Sequence, residues 1–361
     1  MRPPYDIVIV GAGMAGASLA AELAGQGRVA LIEAESAPGY HATGRSAAFW
    51  TESYGGPGVQ PLTTASGPWL REHGFLSPRG ALTIARSGHE AELARFAQGF
   101  ADLGVRVEVL DHAAAAQRIP GLRPEWTLGA LEPDCCDIDV AGVHQHYLAQ
   151  AKRAGVELVC SARLAAADRD GEGWRLTFGD GRTVAADVLV NAAGAWADHV
   201  AEIAGLRRIG ITPYRRTVVQ VRTAPAPPAD LPLVLDLGEA FYFKPESGRL
   251  WLSPHDETPS PPCDAAPDEI DVANAVARLE DVTDWHVERV EHRWAGLRSF
   301  APDRLPVYGF DPRCDRFFWF AGQGGFGIQT APAAARLGAG LLLGRTVGAV
   351  DPQRYLPGRF G

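Results

Sequence analysis

Three glycines carry the first chemical signal in this chain. "VGAGMAG" sets Gly11, Gly13 and Gly16 in G-x-G-x-x-G spacing, with Ala15 inside the run. In that spacing the first glycine allows a tight turn and the second lets backbone approach a pyrophosphate. The third lets helix and strand pack closely, and the helix N-terminus turns its positive dipole toward the phosphates. Glu33 comes 20 residues after Gly13, next to Ala34, where a carboxylate can hold ribose hydroxyls. The competing reading is a glycine-rich turn between core elements. The fingerprint alone leaves open which dinucleotide is bound.

Two further stretches point to the same ligand. In "HATGRSAAFWTESYGG" (41–56), Ala42, Thr43, Gly44, Arg45, Ser46, Ala47 and Ala48 are small apart from one arginine. They suit an extended polar chain lying against backbone amides; the alternative is a loop with Arg45 in a salt bridge. In "GQGGFGIQTAP" (322–332), Gly324, Gly325, Phe326, Gly327, Ile328 and Gln329 precede a helix. The free first N–H groups of that helix can face an anion. Beneath a flavin they would favour the charge that develops at N1 and O2 on reduction. "LVNAAGAW", with Gly194, joins a buried strand to a helix through small residues, and Leu164 opens the preceding meander.

The elements that must position these residues follow from periodicity and punctuation. "YDIVIV" (5–10), an alanine-rich helix and "VALIEAE" make a βαβ unit in about 30 residues. Residues 90–118 read as helical, and 142–158 as a helix leading into a strand. Residues 163–196 read as a β-meander, with turns at "RDGEG" and "GDG". Within 214–300, "RRTVVQVRT", "AFYFKP" and "RLWLSP" are strand-like, 268–281 is helical, and two proline-rich loops separate them. "RFFWFAGQ" and "IQTAPAAARLGAGLLLG" close the chain as strand and helix. The expected class is α/β. A Rossmann-type dinucleotide-binding domain, which the resemblance described below makes an FAD-binding domain, is drawn from 1–48, 141–213 and 301–361. An inserted antiparallel-sheet substrate domain (α+β) comes from 49–140 and 214–300.

Composition narrows the function classes. The chain has 361 residues, 46% hydrophobic and 21% charged, as in an ordinary globular protein. A net charge of -9 argues against nucleic acid, which calls for a basic surface. Five cysteines (135, 136, 160, 263 and 314) lack metal-ligand spacing, so reduced thiols and no metal are expected. No apolar run reaches bilayer length. The early apolar run follows Asp6 without a basic leader. A cytoplasmic location is expected.

"IVIVGAGMAG", "LVNAAGAWA" and "GGFGIQT" occur in this order, with "HATGRSAA" and "WAGLRSF". Together they resemble the cofactor stretches of the D-amino acid oxidase superfamily of FAD oxidoreductases, from residue 5 to residue 355. "PGYH-TGRSAA", "FY-KP" and "WAGLRSF" are most similar to bacterial D-arginine dehydrogenases. The resemblance implies FAD, bound non-covalently, since no cysteine falls where a flavin link is expected.

An arginine beside an apolar cavity suits a carboxylate, because its planar fork reaches both oxygens. The resemblance implies such contacts for Arg298 and Arg216, with Arg215 adjacent. It also implies that Tyr54 and Tyr242 face the substrate and that Gly325 lines the pocket. Two departures stand out. D-arginine dehydrogenases place a glutamate for the substrate guanidinium where this chain has Ala81, and a histidine near the amine where it has Phe49. An unpaired buried cation costs several kcal/mol. Phe49, Trp50, Thr51 and Ala81 are therefore expected around a neutral or apolar side chain.

The activity implied is oxidative deamination of a D-amino acid to the 2-oxo acid and ammonia, with hydride passing from Cα to flavin N5. Positioning carries much of such a rate. The alternatives are a secondary amine (an N-methyl or cyclic amino acid) or a 2-hydroxy acid, for which His255 is the candidate base. A flavin-binding protein without turnover is the third. The electron acceptor is open between oxygen and a quinone, with Lys244 the one lysine near the expected site.

Overall fold

The computed structural model describes residues 5–345, 348 and 350–361. Residues 1–4, 346, 347 and 349, which fall in the expected cofactor-domain segments, lie outside the described residues. The fold is mixed α/β, built on two large sheets.

The first sheet has eight strands. Its main path runs Leu164–Asp170, Gly173–Phe178, Thr183–Asn191, Tyr5–Val10, Val29–Ile32 and Glu157–Val159. The strand Cys314–Ala321 lies parallel to the end of Thr183–Asn191, and Val307–Asp311 pairs antiparallel with it. Val8 and Ile9 are fully buried, as a parallel strand covered on both faces requires. One face packs helices Met14–Glu22, Val140–Arg153 and Ala331–Leu342 through Leu19, Tyr147 and Leu337. The other carries Trp174, Phe317 and Trp319 against the short helix Ala197–Ile203. Gly16 is what lets the first helix sit so low: a β-carbon there would stand 1.8 Å from the Gly11 carbonyl oxygen.

The second sheet has ten strands. Its path is Gln323–Gly324, His286–Phe300, Thr212–Ala224, Arg249–Ser253, Tyr242–Glu246, Leu233–Asp236, Ala81–Ala85, Leu128–Glu132 and Glu108–Asp111. It is antiparallel except where Leu233–Asp236 runs parallel to Ala81–Ala85. Its long central pair places Tyr214 opposite Arg298 and Arg216 opposite Gly296. With a side-chain period of two, Arg216 and Arg298 therefore become diagonal neighbours on one face. The other face buries Leu82, Val219 and Phe243 against Leu279 of the helix Glu269–Val282. A third, small sheet orders Phe49–Trp50, Cys136–Ile138 and Leu76–Pro78.

The helical reading of 90–118 holds only at its ends. Glu90–Ala101 and His112–Arg118 are helices, but Glu108–Asp111 is a strand. Gly104, at φ +83°, stops the first helix in a conformation glycine adopts freely. The helix Gln60–Glu72 gave little sequence signal, because it carries Pro68, Gly67 and three Ser/Thr residues. Tertiary burial of Leu62 and Leu70 outweighs that poor propensity. No helix among the described residues is long and apolar enough to cross a membrane.

Candidate active site

A single continuous cleft runs from the Gly11–Gly13 turn, past Glu33, to Tyr54, Arg216, Tyr242 and Arg298. At its first end Gly11 has φ +102°, and a β-carbon there would stand 2.4 Å from the Ala192 carbonyl oxygen. Glu33 is buried at the strand end. Its Oε2 accepts from the Ala12 N–H and its Oε1 from the Glu35 N–H, both at 2.9 Å. Thr43 Oγ1 accepts from the Met14 N–H at 2.9 Å, and a β-carbon on Gly13 would lie 3.2 Å from it. His144, unremarked in the sequence, donates from Nε2 to the Ala12 carbonyl at 2.9 Å. Burial holds His144 below the ordinary histidine value, with that hydrogen bond opposing. Its signal was an imidazole on the inner face of an amphipathic helix, which usually means only a satisfied core histidine.

Ala15, Ala34, Ala42, Ser46, Ala47, Ala48, Leu164 and Gly194 line the cleft, as do Gly324, Gly325, Gly327, Ile328 and Gln329. Gly16 and Gly44 do not; Gly44 closes a turn by donating to the Gly39 carbonyl at 2.8 Å. Phe326 turns away to pack on Tyr54 and Phe300. Arg45 reaches the cleft wall, but its guanidinium is committed elsewhere. It pairs with Asp264 and donates to the Ala265 and Ala295 carbonyls at 2.8 and 3.2 Å, so the salt-bridge reading of Arg45 is realised. Cys263, on the same loop as Asp264, also reaches the cleft, which its place in the sequence gave no reason to expect.

The other end of the cleft is cationic and aromatic. Arg216 is 4% exposed. Its Nε donates to the Asp256 carbonyl at 2.9 Å and its Nη2 to Glu257 Oε1 at 3.3 Å. Its Nη1 is buried with no partner. Arg298 donates from Nη2 to the Tyr54 hydroxyl and forms no ion pair among the described residues. That hydroxyl also lies 3.3 Å from His255 Nε2. Phe49 packs 5.1 Å from Tyr54 and 5.8 Å from Tyr242 between ring centres. The acidic residues on the cleft wall, Glu33 and Glu35, stand at the opposite end.

The charges interact strongly. Burial, and then Arg298, lower the Arg216 guanidinium below its ordinary value. Burial is the largest influence on Arg298 and lowers it, but Tyr54, Tyr242, the Tyr54 hydrogen bond and Glu257 together hold it above its ordinary value. Burial raises the Tyr242 phenol although both arginines oppose it. Burial, then Arg216 and Arg298, push His255 down to about 2.

The glycine turn lines the cleft and leaves no room for a β-carbon at Gly11, and the far end leaves a buried guanidinium nitrogen without an acceptor. These residues fit a dinucleotide whose reactive ring lies beside an anion-binding pocket. Residues 6–341 match the FAD dependent oxidoreductase family. The chain belongs to that family. It is 27% identical to a glycine oxidase of Pseudomonas aeruginosa, over 97% of this chain and 98% of that protein. The crystal structure of glycine oxidase from Geobacillus kaustophilus superposes with a TM-score of 0.85 at 26% identity, covering 98% of each chain. L-proline dehydrogenase from P. horikoshii shares the fold, with a TM-score of 0.87 at 21% identity over 100% of this chain and 98% of that one. These relatives are not D-arginine dehydrogenases; the likeness holds at the level of the superfamily, and the cofactor is FAD.

In this FAD-dependent oxidoreductase, three expected pocket residues stand off the cleft wall. Phe49 and Trp50 are neighbours on a strand and point to opposite faces. Phe49 takes the cleft, while Trp50 is buried in the core, its indole donating to the Thr63 carbonyl at 3.0 Å. Thr51 is fully buried, its hydroxyl 2.6 Å from Glu132 Oε2. Ala81 packs behind Phe49 and Tyr242. Lys244, two residues along the strand from Tyr242 and so on the same face, is buried in an ion pair with Asp137 at 2.7 Å and does not line the cleft. Arg215 points to the far side of the sheet, onto Asp271 at 2.8 Å.

Proposed function

We propose that this oxidoreductase oxidises the Cα–N bond of a small amino acid with a neutral or apolar side chain. The carbon is D-configured where it is chiral, a preference that rests on the sequence resemblance alone. The imine formed hydrolyses to the 2-oxo acid and ammonia. One observation carries the reading: the buried Arg216 Nη1, without a partner among the described residues, stands in the same pocket as Arg298, which forms no ion pair among them, and none of their carboxylates lines that end. Such a pocket is complementary to one anionic head group. The name of its glycine oxidase relatives agrees with a small substrate.

FAD, when bound, supplies the two-electron acceptor for the hydride that leaves the α-carbon. The side chains do the rest by placement. Arg298 and Arg216 take the carboxylate, each with donors left over after their protein contacts. Tyr54 and Tyr242 close on the α-carbon, and with Phe49 they exclude water. The region 1–48, 141–213 and 301–361 is read as the cofactor unit and 49–140 with 214–300 as the substrate unit. Five unpaired cysteines support a cytoplasmic location.

A secondary amine is the second reading. Phe49 offers the amine no polar partner, so an N-methyl group meets an apolar ring rather than a desolvated donor. A 2-hydroxy acid is disfavoured because it calls for a base, and His255 is too weak a base at about 2. The test is anaerobic mixing of the yellow enzyme with glycine, D-alanine, N-methylglycine, D-arginine and lactate. Bleaching of the flavin band by the small neutral amino acids or N-methylglycine is expected. Bleaching by lactate or D-arginine alone overturns the reading, and no bleaching by any of them favours a binding protein without turnover.

A further inference from the structure

Glu132 ends the strand Leu128–Glu132 and is 3% exposed, yet no basic side chain pairs with it among the described residues. Four donors converge on it instead. Its Oε2 accepts from Thr51 Oγ1 at 2.6 Å, Ser53 Oγ at 2.6 Å and the Ser53 N–H at 3.2 Å. Its Oε1 accepts from the Glu52 N–H at 2.6 Å. A buried carboxylate is costly unless its lone pairs are filled; four donors on two oxygens fill them. These donors all come from the three residues that lead into Tyr54.

Residues 51–56 join no sheet or helix, and Tyr54 is followed by Gly55 and Gly56 at φ +102° and +76°. The segment's other anchors are Gln329, whose Nε2 donates to the Tyr54 carbonyl at 3.2 Å and whose Oε1 accepts from the Thr51 N–H at 3.5 Å, and Thr64, whose hydroxyl donates to Glu52. Tyr54 therefore stands between a carboxylate-bound tripeptide and two permissive glycines. We infer that Glu132 is the positioning residue that fixes the Tyr54 hydroxyl, and through it the Arg298 guanidinium, for binding the substrate carboxylate. The inference rests on reading Arg298 and Tyr54 as the carboxylate site. Glu132 itself does not reach the cleft wall.

Protonation offers an independent readout. Burial raises the Glu132 carboxyl above the usual carboxylate range, with its four donors opposing. The groups facing it are the Thr51–Ser53 segment and the thiols of Cys135 and Cys136, both raised chiefly by burial. As pH falls, Glu132 takes up its proton before an ordinary exposed carboxylate does. One acceptor position is then lost, and Tyr54 is released.

The experiment uses FAD-loaded wild type, E132Q, E132A, Y54F and Y54F/E132Q. It measures acetate binding by the shift of the flavin band, and KM and kcat across pH on the best substrate. E132A should weaken acetate binding and raise KM about tenfold, with kcat less affected. E132Q should fall between, and should lose the acid-side rise in KM. In the Y54F background the E132Q effect should largely vanish, since both changes act on one contact. E132Q with wild-type acetate affinity and KM, or an undiminished effect in Y54F, overturns the inference. Should E132A not fold, E132Q and the double variant still decide. If wild type turns over no amino acid, the proposed function fails, while the acetate arm still tests Glu132.

Discussion

A β-carbon on Gly325 would stand 2.4 Å from the guanidinium carbon of Arg298. The glycine loop and the sheet arginine are thus fitted to one another. The clash falls on the far end of a flexible side chain, so the fold can absorb an alanine by moving Arg298. The movement breaks the Arg298–Tyr54 hydrogen bond. G325A should keep a melting temperature near wild type while KM rises about tenfold or more. A folded, yellow G325A with unchanged KM would show that this contact does not set the position of Arg298.

The two arginines should fail differently. Arg298 forms no ion pair among the described residues, so R298A should cost about 1.5–3 kcal/mol of substrate binding, read as KM, with modest loss of stability. R298K keeps the charge without the fork and should recover only part of the binding. Arg216 also holds the Asp256 carbonyl and Glu257, and burial already raises the neighbouring Asp256 carboxyl. R216A strips the Asp256 carbonyl of this donor, leaves Glu257 to Arg304 alone and opens a hole beside Asp256, so it should lower the melting temperature clearly more than R298A does. Equal thermal shifts in the two variants would contradict that division of labour.

Legibility in the sequence followed the physics of each residue. Gly11, Gly13 and Gly16 were readable because backbone geometry itself demands glycine there, and Glu33 because it ends a strand at a set distance. Arg216 and Arg298 were readable only through resemblance; what makes them neighbours is the register of Thr212–Ala224 against His286–Phe300, a pairing across 84 residues of separation between Tyr214 and Arg298 that no local pattern encodes. Trp50 was misplaced because strand parity shows that Phe49 and Trp50 face opposite ways but not which of them faces the cleft. Glu132 left no local mark, since its four donors lie about 80 residues upstream. Arg45 stood open between a cofactor contact and a salt bridge, and Lys244 was only the one lysine near the expected site; the acids that decide both, Asp264 and Asp137, lie far off in sequence.

Glu33 should matter for cofactor retention beyond any contact with ribose. Its carboxylate accepts from the Ala12 and Glu35 N–H groups and so holds the phosphate turn and the strand end together. E33A removes both acceptors and should weaken FAD binding at least about tenfold, measured by titrating apoprotein with FAD and following flavin fluorescence. E33Q keeps one acceptor oxygen and should be intermediate. An E33A protein that purifies fully yellow and holds FAD through dialysis would refute this.

His255 gives a pH prediction with a definite sign. Burial, then Arg216 and Arg298, lower it from the ordinary 6.5 to about 2, so the folded protein keeps it neutral while the unfolded chain protonates it near 6.5. Below that value the unfolded state binds a proton that the native state refuses, and stability falls as pH falls, until the folded value is reached. Over that window the loss attributable to His255 is up to about 1.4 kcal/mol per pH unit. H255N has no such group to protonate. The unfolding free energy of H255N relative to wild type should therefore be constant above the ordinary histidine value and climb in favour of the variant as pH falls below it. Denaturant titrations at a series of pH values measure it directly. A difference independent of pH would mean that His255 titrates as it does in water, and that the two guanidinium groups do not bear on it.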